Sequence, residues 1–323
     1  MRDLRPADRA RVRDALQWAT SKLSQCSHEA PVGSAETPFL DSLLLLSLAT
    51  GEPTERLLAS MPDEVSREAI ARFVRLVDQR CRGTPVSYIR GVKEFYGRQF
   101  TVNPAVLVPR PDSELVVETA IEIVDQLGDG GESAHVHDAC TGSGCIAITI
   151  AAERPAIIVS ASDLDQGALL VAAANRDRLL GPPTDGAHVA GLPLWRSDVL
   201  EALPRESRAR RLPPAKIITA NPPYLTDTEY EHLRTRGWPE PETALRGGAD
   251  GLELIRTLAR QAVTVLPPLG YLVVEIGAGQ RSACSNVLAD CGFHEIETRR
   301  DLAGRDRVLV ARRSAQRTHG NDD

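Results

Sequence analysis

The sequence predicts an α/β protein in which an open, mostly parallel sheet of seven strands follows a small all-helical domain. Three observations carry this expectation. From about residue 111 onward, short apolar runs rich in Val, Ile and Ala alternate with helix-length amphipathic stretches, which is the rhythm of βαβ units. The first 84 residues show helical spacing only. The chain of 323 residues is long enough for one large domain and a smaller one, and 42% apolar with 25% charged residues is an ordinary globular balance.

The helical domain is read from periodicity. Residues 10–19 repeat apolar positions at helical intervals, and residues 39–48 are apolar nearly all round, so the second helix should be the buried centre of a small bundle. Gly51 should end it, and residues 53–58 open a third helix behind Pro53. A fourth runs over 66–77, with Ile70, Phe73, Val74 and Val77 on one stripe. No catalytic constellation falls in this domain, so its role is structural or partner-binding. The pattern changes at residues 85–91, and residues 95–102 read as a hairpin. The expected division is therefore a helical domain over 1–84, a β-hairpin linker over 85–110, an α/β domain over 111–313 and a flexible tail over 314–323.

Within the α/β domain a helix is expected over 113–127, then a flexible Gly-rich turn over 128–133. A strand over 135–139 leads into Cys140-Thr141-Gly142-Ser143-Gly144-Cys145, which opens a helix. Glycines at a strand-to-helix turn let a ligand approach the backbone, and the helix N-terminus favours an anion. The second strand, 156–163, ends at Asp163, about twenty residues past that turn, where a carboxylate accepts hydrogen bonds from ribose hydroxyls. Asp165 suits the cap of the next helix, 166–180. A third strand is expected near 188–190, and residues 201–214, with four arginines between prolines, as an exposed basic loop. A strand over 215–219 follows. The remaining pattern is a helix over 252–266, a strand over 270–277, a helix over 280–290, strands at 293–298 and 308–311, and a polar end.

The most informative loop is Asn221-Pro222-Pro223-Tyr224, at the carboxyl end of the 215–219 strand, where open α/β sheets place their ligands. The Asn221 side-chain oxygen accepts hydrogen bonds. Pro222 has no N–H, so its peptide unit offers only acceptors, and two rings stiffen the loop. Two fixed acceptors beside an aromatic ring suit a planar –NH2 group, either an amide or a nucleobase amine.

The loop resembles that of methyltransferases acting on such nitrogens. The string GVKEFYGRQFTVNPAVLVPRPDSELVVE over residues 91–118 narrows the resemblance to protein glutamine methyltransferases that modify class-1 peptide-chain release factors, and Glu240-Pro241-Glu242-Thr243-Ala244-Leu245 is similar to a further element of that family. The resemblance implies a Rossmann-like class I methyltransferase sheet, S-adenosyl-L-methionine as cofactor, S-adenosyl-L-homocysteine as product, and methylation of the glutamine in a Gly-Gly-Gln loop. It implies a substrate site at Asn221, Pro222, Pro223 and Tyr224, with Phe100 as a second wall. It implies a cofactor site at Asp138, Cys140, Thr141, Gly142, Ser143, Gly144, Asp163, Asp198, Val199 and Asn221, with Arg110 and Ser113. Cys140 stands where the family usually has a glycine, so the turn must tolerate a Cβ.

Rival readings stay open. A sister activity methylates a glutamine of a large-subunit ribosomal protein, DNA adenine methyltransferases share the loop with a flipped base as substrate, and a silent cofactor-binding scaffold would need no substrate. The net charge of −6 argues against a general duplex-binding surface, so no direct nucleic-acid partner is expected. No apolar run approaches the roughly 20 residues of a membrane span, and the first sixteen residues, MRDLRPADRARVRDAL, are too charged for a signal peptide. The six cysteines lack the spacing of a disulfide framework, which suits a reduced, cytoplasmic protein, and a monomer is expected. His135, His137, Cys140 and Cys145 lie close together but match no zinc spacing, so no metal is expected.

Overall fold

The computed structural model describes residues 10–26, 37–127, 134–181 and 191–315. Two compact units emerge: the chain up to Val92 together with 231–239, and the remainder. The first unit thus extends past the boundary expected at residue 84, because a helix over 86–90 contributes Val86 to its core. The turn expected over 128–133, the strand expected near 188–190 and the end of the tail, 316–323, lie outside the described residues.

The first unit contains β1 (Ala10–Arg11), α1 (Val12–Cys26), α2 (Pro38–Thr50), α3 (Thr54–Ala59), β2 (Glu64–Val65), α4 (Arg67–Cys81) and α5 (Val86–Arg90). Leu16, Leu23, Leu45, Leu46 and Phe73 are its innermost side chains. The helix stops follow local stereochemistry. Gly51 takes a left-handed φ of 81°, open only to a residue without Cβ strain, and its N–H closes α2 on Ser47. Ser66 caps α4 by accepting from the Ala69 N–H.

Three features depart from the expectation. The unit is not purely helical: β1 and β2 form a two-residue antiparallel pair, too short to leave a periodic signal. Phe39, Leu40 and Leu48 on α2 remain 41–48% exposed, so this helix is central without being enclosed. Cys26 and Cys81, 55 residues apart, form a disulfide with a Cα–Cα distance of 5.4 Å, correcting the reading of six free thiols. They pair because α1 and α4 pack together and end side by side, which spacing along the chain does not encode.

The second unit opens with the hairpin β3 (Val92–Phe95) and β4 (Arg98–Thr101), a 3-10 turn at Pro111–Ser113 and α6 (Glu114–Gln126). It continues through β5 (His135–Ala139), α7 (Cys145–Glu153), β6 (Ile158–Asp163), α8 (Gln166–Leu180), β7 (Leu194–Arg196), α9 (Leu203–Arg210) and β8 (Ile217–Ala220). Then come α10 (Asp227–Thr235), whose residues from Glu231 onward fall in the first unit, α11 (Glu253–Val265), β9 (Tyr271–Glu275), α12 (Arg281–Asp290), β10 (Phe293–Arg300) and β11 (Asp306–Arg313).

The seven strands lie in the order β10-β11-β9-β8-β5-β6-β7. Five are parallel, and β11 runs antiparallel between β9 and β10. Successive residues bury against opposite layers, Ile217 on one face and Ile218 on the other, so the strands read as continuous apolar runs. From β5 the chain winds outward through β6 and β7, then returns to β8 on the other side. Ala139 pairs with both Ser162 and Ala220, which brings the carboxyl ends of β5, β6 and β8 to one edge at this reversal.

The stretch read as a basic loop over 201–214 contains helix α9. Pro204 sits in its first turn, Leu203 is buried, and Glu206 holds Arg205 beside it and Arg210 one turn later. Arg210 also lies over the Trp195 ring at 5.5 Å, so two of the four arginines of this stretch are paired. The third strand falls at Leu194–Arg196, directly after Pro193, whose carbonyl accepts from Ala161.

Candidate active site

The strand ends at the chain reversal surround a cavity of about 250 Å³. The turn after β5 forms its floor. Cys140 has a φ of +56°, followed by Gly142 at +54° and Gly144 at +80°, so a residue with a Cβ occupies a conformation suited to glycine. At Gly144 there is no room for a side chain: a Cβ would lie 2.8 Å from Ile148 and 3.2 Å from Ala172, which lets α7 and α8 approach closely.

Asp138 braces this turn from beneath. It is fully buried, and its carboxylate accepts from Thr141 at 2.6 Å and from Thr219 at 2.7 Å, tying the turn to β8. Burial pushes its carboxyl up to about 7, against the pull of the two threonines. Asp138 and Gly144 do not reach the cavity wall, whereas Cys140, Thr141, Gly142 and Ser143 do. The first two therefore shape the turn rather than meet a ligand.

Asp163 closes β6 at the cavity. One of its oxygens accepts from the Gly142 N–H at 2.8 Å and the other from the Asp165 N–H at 2.9 Å. Each oxygen retains lone-pair capacity, so the oriented carboxylate can receive two further donors. Asp165 caps α8 through the Ala168 N–H, as its position suggested. Beyond β7, Ser197, Asp198 and Val199 form the next stretch of wall. Val199 is β-branched yet has a φ of +50°, a second strained backbone beside the cavity.

Asn221 and Pro223 face the cavity from the end of β8. The Asn221 Nδ2 donates to Ser113 Oγ at 3.1 Å, and Ser113, on the wall itself, donates to Glu275 Oε2 at 2.6 Å. Pro222 and Tyr224 are not on the wall. Gln280 donates to the Tyr224 carbonyl at 2.9 Å, and the Tyr224 ring has one edge near Gly277. Burial raises the Tyr224 phenol to about 12. Phe100 is also misplaced by the sequence reading. It is fully buried, edge-on to Phe95 with ring centroids 6.0 Å apart, because the alternation of β4 turns it into the core.

Several supporting residues had no isolated signal in the sequence. Glu240 is 5% exposed and receives the Val108 N–H at 2.9 Å and Arg110 Nη2 at 2.6 Å, which anchors the segment carrying Arg110 beside the cavity. The run Gly247-Gly248-Ala249-Asp250-Gly251 backs the Asn-Pro-Pro-Tyr loop so closely that a Cβ at Gly247 would meet the Pro223 carbonyl at 2.7 Å. Its glycine content was the available clue.

The histidine pair is engaged elsewhere. His135 Nδ1 lies 2.7 Å from the Pro213 carbonyl, which can only accept, and both rings bond to Ser160, His137 reaching Ser162 as well. His137 stacks on Trp195 at 5.0 Å, and burial pushes its imidazole down to about 3. The ladder is a buried, neutral network on the sheet face.

Residues 14–91 match the PrmC N-terminal domain family. Over 282 residues the chain is 38% identical to the release factor glutamine methyltransferase of Neisseria gonorrhoeae, a match covering 87% of this chain and 96% of that protein. It is 35% identical over 300 residues to the Bacillus subtilis protein of the same name, covering 92% and 96% respectively. With these identities extending through both the helical unit and the cavity-bearing sheet, the chain belongs to the release factor glutamine methyltransferase family.

Proposed function

We propose that this protein methylates the side-chain amide nitrogen of the Gly-Gly-Gln glutamine in a class-1 peptide-chain release factor, with S-adenosyl-L-methionine as donor. The observation that carries the reading is the Asn221 amide at the cavity wall, its nitrogen engaged by Ser113 and its Oδ1 left as the acceptor. A glutamine –NH2 presents two donors. Oδ1 takes one of them, stabilising positive charge as it develops on nitrogen. The glycines behind the loop hold this acceptor still.

The cavity residues fit the donor. Asp163 offers two oriented acceptors for vicinal ribose hydroxyls, Val199, Ile146 and Leu254 give apolar surface for a purine, and the Arg110 guanidinium on the wall suits the methionine carboxylate. Bound there, S-adenosylmethionine would supply a methyl group already activated as a sulfonium and leave as S-adenosylhomocysteine, with one N–H proton of the methylated amide lost to water after transfer. The protein contributes alignment, because the amide nitrogen is a poor nucleophile with a delocalised lone pair.

The helical unit docks a folded part of the release factor while the glutamine loop enters the cavity. Exposed Phe39, Leu40 and Leu48 on α2 support this role. A protein substrate calls for no nucleic-acid surface, which agrees with the charge of −6. Incubation with labelled S-adenosylmethionine and purified release factor, followed by mass spectrometry of the loop peptide, should locate one methyl group on the glutamine. Labelling of a ribosomal protein or DNA, with release factor untouched, would refute the assignment.

A further inference from the structure

We propose that Glu275 and Ser113 act as a positioning relay that decides which end of the Asn221 amide faces the substrate. The inference rests on the assignment of Asn221 Oδ1 as the acceptor of the glutamine N–H. Both relay residues are enclosed, Ser113 at 2% and Glu275 at 1% exposure. They come from the 3-10 turn before α6 and from the end of β9, and meet Asn221 at the end of β8.

The argument follows a single hydrogen. Ser113 Oγ carries one proton, and an ionised Glu275, able only to accept, takes it at 2.6 Å. Only lone pairs then remain on Oγ to meet Asn221. Lone pairs attract an N–H and repel a carbonyl oxygen, so the amide must turn its Nδ2 toward Ser113, at 3.1 Å, and its Oδ1 the other way. The two ends of an asparagine amide have nearly the same shape, so packing alone does not choose between them. The opposite orientation would set an –NH2 against the substrate –NH2, donor against donor.

The relay carries a pH dependence. Burial raises Glu275 to about 7, opposed by the Ser113 hydrogen bond. Asp112 adds to the rise, Arg307 and Arg110 counter it, and Tyr224 and Cys145 share its field. A protonated Glu275 can donate to Ser113 Oγ, which frees the serine hydrogen to point at Asn221 and favours the reversed amide. Turnover should therefore fall as the pH drops through about 7.

The test uses full-length enzyme with intact release factor and saturating S-adenosylmethionine. Ser113→Ala and Glu275→Gln should each lower kcat about 10- to 100-fold, the lower part of the range for losing one aligned polar contact to transition-state charge. Cofactor Kd by calorimetry should stay within about threefold, and Ser113→Thr, which keeps the hydroxyl, should retain kcat within about threefold; both limits are well under the tenfold that 1.4 kcal/mol represents. The acid limb of the wild-type kcat profile near pH 7 should vanish in Glu275→Gln. Unchanged turnover in Ser113→Ala, equal losses in Ser113→Ala and Ser113→Thr, or losses that track cofactor affinity would each overturn the relay. If Glu275→Gln fails to fold, the two serine variants decide the matter. A readout free of turnover separates this inference from the substrate assignment. The Asn221 side-chain amide NMR signal, identified by its loss in Asn221→Asp, should exchange slowly with solvent in wild type and faster in Ser113→Ala. If that contrast holds while release factor stays unmethylated, the relay stands and the substrate assignment falls; equal exchange rates sink the relay whatever the substrate.

Discussion

The helical unit and the sheet unit treat buried polarity in opposite ways. Among the described residues of the helical unit, Ser42 and Arg80 are the buried polar side chains, and Arg80 is paired with Asp41 at 2.9 Å. The sheet unit buries Asp138, Glu275, Glu240, His135 and His137, with serines and threonines around them. Among the described residues, all six non-glycine residues with positive φ also lie in the sheet unit, two of them, Cys140 and Val199, on the cavity wall. One unit follows local rules throughout and adds a covalent tie. The other breaks them at several turns, two of which form part of its site, a pattern expected when function and stability make different demands.

The largest test of this contrast is Asn221→Ala. Turnover should fall about 10²–10³-fold, the effect of removing one aligned polar contact to a charged transition state, with cofactor affinity within a few-fold and folding unharmed. Steady-state kinetics with calorimetry measure both, and full turnover at saturating substrate would remove Asn221 from the chemistry. Next comes the helical unit. Reduction of Cys26–Cys81, or its replacement by serines, should cost that unit about 2–4 kcal/mol, read by hydrogen exchange in α1 and α4. Cys140, Cys145, Cys284 and Cys291 are already thiols, so the sheet should hardly respond. Equal loss of protection in both units would erase the distinction.

Asp163→Ala should weaken S-adenosylmethionine binding by about 1.5–3 kcal/mol, the usual loss for hydrogen bonds to a charged group. Unchanged affinity by calorimetry in a folded variant would take the carboxylate out of the site. The buried acids make a pH prediction whose sign can be worked out. Asp138 sits at about 7 against 3.8 unfolded, so its contribution is full below 3.8 and disappears as the pH rises through 7. Glu275, at about 7 against 4.5, acts in the same direction. His137, at about 3 against 6.5, acts oppositely: its contribution is present above 6.5 and lost as the pH falls through 3. Asp138→Asn removes one bound proton from the folded side, so stability between pH 4 and 7 should gain up to about 1.4 kcal/mol per pH unit relative to wild type. Urea midpoints across that range would show it, and parallel curves would mean the carboxyl is ionised throughout.

The smallest effect is expected at the strained turn. Cys140→Gly relieves a left-handed Cβ, worth roughly 1–2 kcal/mol, but adds freedom to the unfolded chain, leaving a net gain of about 0.5–1 kcal/mol. A loss of stability would show that the Cys140 side chain contributes packing that outweighs its backbone strain.

The sequence by itself determined the elements whose cause is local. Periodicity separated helices from strands, Gly51, Ser66 and Asp165 marked helix ends through their own stereochemistry, and the loops after β5, β6 and β8 could be read as a ligand edge because parallel strands align their carboxyl ends. That was enough to single out Asn221 and Asp163. Tertiary structure alone decided what depends on meetings between distant segments. Cys26 found Cys81 across 55 residues, Ser113 found Glu275 across 162, and Glu240 found Val108 across 132. The same holds for Phe100: its residue type suits a substrate pocket, and the packing of neighbouring elements turned it into the core. A side chain's chemistry is written at its position, but its partner and the direction it faces are set by helix packing and strand register, which no local stretch of sequence contains.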